Sequence, residues 1–208
     1  MIRVAIIGGG IGGLTTAVAL RQFGFEPQVY EQAPALLDVG AAIAIWPNAM
    51  RVLERLGLGQ RVLEHSGQMQ EIQWLDQNGR PINKVSLAGS SGRDSTPALA
   101  LHRADLQEIL LDSLPSASVH LGSSLIDYSQ DDEKVIANFA NGHSSESEFL
   151  IGADGIHSRV RTELLDDSSP IYRGYTVWRG ISSTIPGSIP PATAIELHGR
   201  GKRFGLGP

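Results

Sequence analysis

Three glycines near the start of the chain have the spacing of a turn that binds the phosphates of a dinucleotide. Gly8, Gly10 and Gly13 fit the pattern G-x-G-x-x-G. In such a turn the first glycine lets the chain leave a strand sharply, the second lets the backbone approach a pyrophosphate, and the third lets the next helix pack closely on the sheet. N–H groups at the start of that helix then bind phosphate oxygens. The pattern predicts the following dinucleotide-binding residues: Gly8, Gly10, Ile11, Gly12 and Gly13.

The residues on either side supply the strands and the helix that this turn requires. Ile2 to Ile7 is a nearly continuous apolar run, typical of a strand buried on both faces, and Leu14 to Phe23 has the apolar face of a helix. A second short strand, Gln28 to Tyr30, leads into Glu31, which we predict to bind the ribose, and Gln32 is a further predicted cofactor-binding residue. A carboxylate there accepts hydrogen bonds from ribose hydroxyls and repels a 2′-phosphate. The site therefore suits FAD or NAD better than NADP. The alternative is a glycine-rich turn in an ordinary α/β domain, with Glu31 merely solvated.

Composition excludes several other kinds of chemistry. The 208 residues include 17 basic and 22 acidic side chains, for a net charge of −5, and no basic tract points to nucleic acid. The chain has no cysteine, which excludes disulfides, thiolate catalysis, zinc–thiolate sites and iron–sulfur clusters, and we predict no metal site. No apolar run reaches the roughly 18 residues of a membrane span, and the N-terminus lacks a secretory signal. We therefore expect a cytoplasmic protein without a membrane span.

The order of elements predicts an α/β fold with a parallel sheet and a second layer of strands. Residues 68–87 and 171–208 do not follow the parallel pattern around them. Asn78-Gly79 is a strong hairpin signal between two alternating segments. We interpret these two stretches as parts of an antiparallel layer inserted into a nucleotide-binding domain. The predicted domains are a discontinuous nucleotide-binding domain at 1–67 and 99–167, and a partial β domain at 68–98 and 168–208.

A second motif identifies a family resemblance. Residues 152–161, GADGIHSRVR, contain the pattern D-G-x-x-S-x-x-R. With the first motif, this resembles the N-terminal half of FAD-dependent monooxygenases of the aromatic-hydroxylase type, including salicylate hydroxylase-like and zeaxanthin epoxidase-like enzymes. Three further blocks agree with these enzymes: 39–58, 101–110 and 175–181.

The resemblance implies a Rossmann-like FAD-binding domain, with the adenosine end of FAD on the glycine turn and Glu31. Arg103 matches a family arginine near the FAD phosphate and ribitol, and Ala42 lies in a loop, 40–43, that passes along the flavin edge. Asp154 and Gly155 match a pair that lies near FAD and is tied to NAD(P)H use. Each assignment has a local alternative. Arg103 could be a solvated arginine in the first turn of a helix, 40–43 a turn of small residues, and Asp154-Gly155 a plain turn before a helix.

The implied reaction takes place largely on the cofactor. NAD(P)H reduces the flavin, oxygen adds at the flavin C4a position, and the resulting C4a-hydroperoxide hydroxylates or epoxidises a small aromatic or hydrophobic substrate. Accordingly, we name no catalytic residue from the sequence. A non-oxygenating FAD oxidoreductase and an inactive flavin-binding fragment are the alternatives. Family members are about twice as long and carry a later Gly-Asp motif absent here. We therefore expect a truncated β domain and weak or no FAD binding by this chain alone.

Lone histidines and tryptophans are expected to have structural roles. No Ser, Asp or second-His pattern surrounds His65, His102 or His157, so we expect each to be structural or solvated. Trp46 and Trp178 are expected in the core rather than on a substrate platform.

Overall fold

Short strands and helices account for most of the chain that the structure describes. The structure is a computed structural model and describes residues 1–36, 41–87, 96–165, 169–184, 187 and 189–208. The helices are α1 (Ile11–Gln22), α2 (Pro47–Arg55), α3 (Gly59–Glu64), α4 (Arg103–Leu111) and α5 (Arg159–Leu165), with a 3₁₀ turn at Ser116–Ser118. The strands are β1 (Arg3–Ile7), β2 (Glu26–Tyr30), β3 (Ala42–Ile45), β4 (Gly67–Met69), β5 (Glu71–Asp76), β6 (Pro81–Ser86), β7 (Ala98–His102), β8 (Val119–His120), β9 (Leu125–Gln130), β10 (Val135–Phe139), β11 (Ser144–Ser147), β12 (Phe149–Gly152), β13 (Thr193–Gly199) and β14 (Lys202–Leu206).

These elements divide into two compact units. The first comprises Met1–Asp38 and Gln107–Val177, and the second comprises Val39–Leu106 and Trp178–Pro208. The predicted nucleotide-binding domain included 39–67 and 99–106, which lie in the second unit. Strand pairing explains the difference, because β7 pairs with both β3 and β4 and holds these stretches in one sheet. The assignment of one domain to nucleotide and the other to substrate stays a prediction.

A four-stranded parallel sheet forms the centre of the first unit, as the sequence predicts. Its order is β12-β1-β2-β8. Val4 to Ile7 in β1 are all buried, as expected for an apolar run in the middle of a parallel sheet. Helix α1 packs on this sheet through Leu14, Ala17 and Val18. The predicted α/β class is therefore confirmed.

An antiparallel sheet, β11-β10-β9, completes the first unit. Its core is joined to the parallel sheet by an aromatic stack, in which the ring of Tyr30 lies 4.4 Å from that of Phe139 and 4.8 Å from that of His120. The Tyr30 hydroxyl donates to Ser145 Oγ at 2.7 Å. Burial lowers the pKa of His120, and the charge of His143 lowers it further. The neutral imidazole is thus favoured beside the stack.

The second unit contains two sheets, and one pairing differs from the prediction. The sheets have the orders β3-β7-β4 and β14-β13-β5-β6. The hairpin of β5 and β6 is antiparallel, as the Asn78-Gly79 turn predicts. However, β13 pairs with β5 in the parallel direction, so the second layer is mixed rather than antiparallel throughout. Met69, Ala98 and Ala100 form a small buried cluster in this unit.

Other differences are local. The core positions expected for two tryptophans are wrong, since Trp46 is 43% exposed and Trp178 is 93% exposed. None of the helices in the described ranges combines the length and apolar character that a bilayer crossing requires.

Candidate functional site

Parallel pairing brings three motif segments to one edge of the sheet in the first unit. Ile7, the last residue of β1, is in register with Tyr30 at the end of β2 and with Gly152 at the end of β12. The segments that leave these strands contain the glycine turn, Glu31 and Asp154. The carboxyl edge of an open parallel sheet is where ligands bind in such folds.

The first and third motif glycines are required by close contacts between backbones. Gly8 has φ +110°, a conformation that L side chains rarely adopt, and its N–H donates to Tyr30 O at 2.8 Å. A Cβ at Gly8 would overlap the carbonyl oxygen of Ala153, and a Cβ at Gly13 would overlap the carbonyl oxygen of Gly8. Glycine therefore lets the GADG segment and helix α1 both approach the turn.

Helix α1 presents its N-terminus at this edge. Gly10 is its N-cap residue, with extended backbone, and Gly10 O accepts the Leu14 N–H at 3.0 Å. No acidic residue lies in the first turn, and no side chain caps it. The N–H groups of Ile11, Gly12 and Gly13 have no intrahelical acceptor, as in any first helical turn. Together with the positive end of the helix dipole, they form a site suited to phosphate oxygens.

Glu31 is anchored by the backbone on both sides of its carboxylate. Gly9 N–H donates to Oε2 at 2.6 Å, and Ala33 N–H donates to Oε1 at 2.9 Å. A carboxylate has about four acceptor positions, so two remain for hydroxyl donors such as those of a ribose. Glu31 is half-buried and its neighbour Gln32 is exposed. The geometry thus gives Glu31 a structural contact that the sequence did not predict, and it leaves capacity for the predicted one.

Asp154 makes the contacts of a helix cap. Its Oδ1 accepts the hydroxyl of Ser158 at 2.6 Å, and its Oδ2 accepts the N–H groups of Arg159 at 2.7 Å and Val160 at 3.2 Å. Gly155 follows with φ +80°. These contacts organise the start of α5. They are the contacts expected of the alternative interpretation of this motif, an Asp-Gly turn before a helix. The proximity of Asp154 and Gly155 to a flavin stays a prediction.

Two other predicted site residues lie side by side in the second unit. Ala42 pairs with His102 across β3 and β7, and Arg103 N–H donates to Ala41 O at 3.2 Å. Their predicted contacts with FAD stay predictions. Gly40, at the start of the loop expected along the flavin edge, lies outside the described residues.

Sequence reasoning did not assign a role to Gln107. This α4 side chain is 7% exposed, and its Nε2 donates to Gly9 O at 2.7 Å within the first unit. A signal was available, because Gln107 is a polar residue among the buried Leu106, Ile109 and Leu110 of the same helix. A buried amide of this kind is expected to have a hydrogen-bonding partner.

Local surroundings account for the three histidines considered above. His65 Nδ1 lies 2.8 Å from Arg61 O at the end of α3, and His102 Nδ1 lies 4.0 Å from an Asp105 carboxylate oxygen. His157 is exposed. A structural or solvated role for each of them stays a prediction.

Comparison with known proteins points to flavin enzymes. Residues 1–173 match the family model described as FAD binding domain. The chain is 36% identical over 207 residues to the aurachin C monooxygenase/isomerase of Stigmatella aurantiaca. The aligned region covers 100% of this chain and 54% of that protein. It is also 36% identical over 195 residues to the 3-amino-4-hydroxybenzoate 2-monooxygenase of Streptomyces cremeus. That aligned region covers 92% of this chain and 48% of that protein.

A solved structure agrees with the sequence comparison. Klebsiella pneumoniae HpxO complexed with FAD and uric acid has a TM-score of 0.84 and 31% identity, over 100% of this chain and 53% of that one. The chain spans about half the length of the curated relatives it matches.

The close contact at Gly13 gives a test of the turn without any ligand. Gly13→Ala should lower the free energy of unfolding by on the order of 1–3 kcal/mol, because the new methyl group overlaps Gly8 O. Gly12→Ala is the matched control, since a Cβ there meets nothing within 4 Å. It should leave stability unchanged or raise it by up to about 1 kcal/mol through helix propensity. Urea denaturation compares the two, and equal effects would contradict the described packing of α1.

Proposed function

The chain belongs to the FAD-binding-domain family, and on that premise we propose that its first unit holds the adenosine diphosphate half of FAD at the carboxyl edge of the parallel sheet. The observation that carries the proposal is the meeting of the glycine turn, the N-terminus of α1 and the Glu31 carboxylate at that edge. Binding a pyrophosphate and its neighbouring ribose requires N–H donors for the phosphate oxygens beside a carboxylate acceptor for the ribose hydroxyls.

In this proposal each group has a separate task. The N–H groups at the start of α1 bind the pyrophosphate oxygens, with the absence of first-turn acids avoiding repulsion. Glu31 accepts hydrogen bonds from the ribose hydroxyls at the lone pairs that the Gly9 and Ala33 N–H groups do not use. Gln32, Ala42, Arg103, Asp154 and Gly155 are further proposed cofactor contacts, carried by the family resemblance.

We further propose that the activity is that of a monooxygenase using NAD(P)H and dioxygen. Bound FAD supplies the redox chemistry, taking reducing equivalents from the nicotinamide and activating oxygen for transfer to the substrate. The protein's task is to bind and orient the reactants and to exclude water. The proposed substrate is a small aromatic compound, because one similar protein is named for 3-amino-4-hydroxybenzoate and the HpxO structure is complexed with uric acid.

Ligand competition tests the binding proposal. The chain should bind FAD, and ADP should compete with it, because ADP carries the pyrophosphate and the ribose that the site recognises. FMN should compete poorly, because it lacks the adenosine half. Titration of FAD fluorescence with each competitor gives the result. Binding that FMN blocks and ADP does not would place the flavin elsewhere.

Glu31→Gln tests the ribose contact. The amide removes the charge and one acceptor atom, so FAD affinity should fall by about 1–3 kcal/mol, the scale for a hydrogen bond to a charged group. Glu26→Gln is the control, at an exposed position of β2. Thermal melting of both variants separates a loss of affinity from a loss of fold. Unchanged FAD affinity in folded Glu31→Gln would remove Glu31 from the proposed site.

Isotope labelling separates the monooxygenase from a non-oxygenating FAD oxidoreductase. With FAD, NADH or NADPH, an aromatic acid and ¹⁸O₂, a monooxygenase incorporates one labelled oxygen atom into the organic product. A chain that oxidises the nicotinamide and forms only hydrogen peroxide would favour the alternative. Mass spectrometry of the product, alongside a peroxide assay, gives the answer.

A further inference from the structure

We propose that Gln107 is a positioning residue that sets the orientation of the phosphate-binding turn. It acts through the Gly9 carbonyl group, whose oxygen accepts the Gln107 Nε2–H at 2.7 Å. The inference rests on the proposed function of this turn, and it adds a residue from a distant helix that fixes the turn before any ligand binds.

The turn needs such support because it is made of three successive glycines. Glycine has access to far more backbone conformations than other residues, so Gly8-Gly9-Gly10 alone does not define one orientation. Two side chains from other elements hold the middle residue. Glu31 accepts the Gly9 N–H at 2.6 Å and so fixes the Gly8–Gly9 peptide, whereas Gln107 binds the Gly9 carbonyl and so fixes the Gly9–Gly10 peptide.

Planarity of the peptide group carries the effect to Gly10. In a trans peptide the C=O of one residue and the N–H of the next point in opposite directions. With Gly9 O held toward Gln107, the Gly10 N–H must point to the side away from Gln107. Gly10 directly precedes the first turn of α1, so its N–H joins the donors of Ile11 and Gly12 in the proposed phosphate site.

The chemistry of this position favours a neutral donor. The acceptor is a carbonyl oxygen, so the amide nitrogen of Gln107 must face it. The side chain is 7% exposed, and a buried amide is costly unless it is hydrogen-bonded. A carboxylate here would repel both the carbonyl oxygen and a nearby pyrophosphate, and an apolar side chain would leave the Gly9 carbonyl without this donor.

Three variants of the full chain test the proposal. Gln107→Met removes the donor and keeps the length of the side chain, and Gln107→Glu keeps the shape but offers a donor only when protonated. Gln60→Met is the control, because Gln60 Nε2 also donates to one acceptor, Glu64 Oε1 at 2.9 Å, but is exposed on α3. The measurements are FAD and ADP affinity, the thermal midpoint, and the Gly9 ¹³C carbonyl and Gly10 ¹⁵N amide resonances without ligand.

The expected results separate positioning from general stability. Gln107→Met should weaken FAD and ADP alike by about tenfold, the scale of one lost hydrogen bond, and Gln60→Met should match the native chain. Gln107→Glu should be equally weak near neutral pH and should recover affinity as the pH falls, because burial raises the pKa of a carboxyl group and its protonated form can donate to Gly9 O. The Gly9 and Gly10 resonances should return toward their native positions over the same pH range.

Two outcomes would overturn the proposal. One is a folded Gln107→Met chain that binds FAD as tightly as the Gln60→Met control. The other is a Gln107→Glu chain whose affinity and Gly9 resonance do not respond to pH, which also decides the matter if Gln107→Met fails to fold. Failure of the proposed function is distinct, because the native chain would then bind neither FAD nor ADP. The unliganded Gly9 and Gly10 resonances would still decide the role of Gln107, and unchanged resonances in the variants would refute it.

Discussion

Helix α1 can begin beside β1 only because no side chain separates the helix from the turn between them. A Cβ at Gly13 would overlap the carbonyl oxygen of Gly8, and a Cβ at Gly8 would overlap that of Ala153. This close approach places the free N–H groups of the first helical turn directly at the end of the sheet. It also lets Leu14, Ala17 and Val18 pack against the strands, so one constraint couples the core of the first unit to its candidate site.

The backbone of the turn is held by residues that are distant in sequence. Tyr30 O accepts the Gly8 N–H, Glu31 accepts the Gly9 N–H, and Gln107 donates to the Gly9 carbonyl. Parallel pairing of β1 with β2 makes the first two contacts possible. Contacts within the chain therefore fix the backbone of the turn, and for the proposed site this order would reduce the conformational entropy that binding costs.

The parts of the fold that were predictable from sequence are those with a local signal. An apolar run, a fixed glycine spacing and a helical apolar face all lie within the first 23 residues, and together they predict β1, the turn and α1. The parallel pairing of β13 with β5 has no such signal, since it joins residues more than a hundred positions apart. The pairing of β7 with β3 likewise has no local signal, and residues 39–67 lie in the second unit rather than with the rest of the predicted nucleotide-binding domain. Glu31 was predicted as a ribose ligand, whereas its bonds to Gly9 and Ala33 depend on a backbone geometry that residue type does not reveal.

The central claim is that the carboxyl edge of the parallel sheet binds the adenosine diphosphate half of FAD. A crystal structure of the chain with ADP tests it most directly. We expect the diphosphate against the N–H groups of Gly10, Ile11 and Gly12, and the ribose hydroxyls within hydrogen-bonding distance of Glu31. An ordered ADP bound at any other surface, or a diphosphate at the turn with its ribose directed away from Glu31, would contradict it.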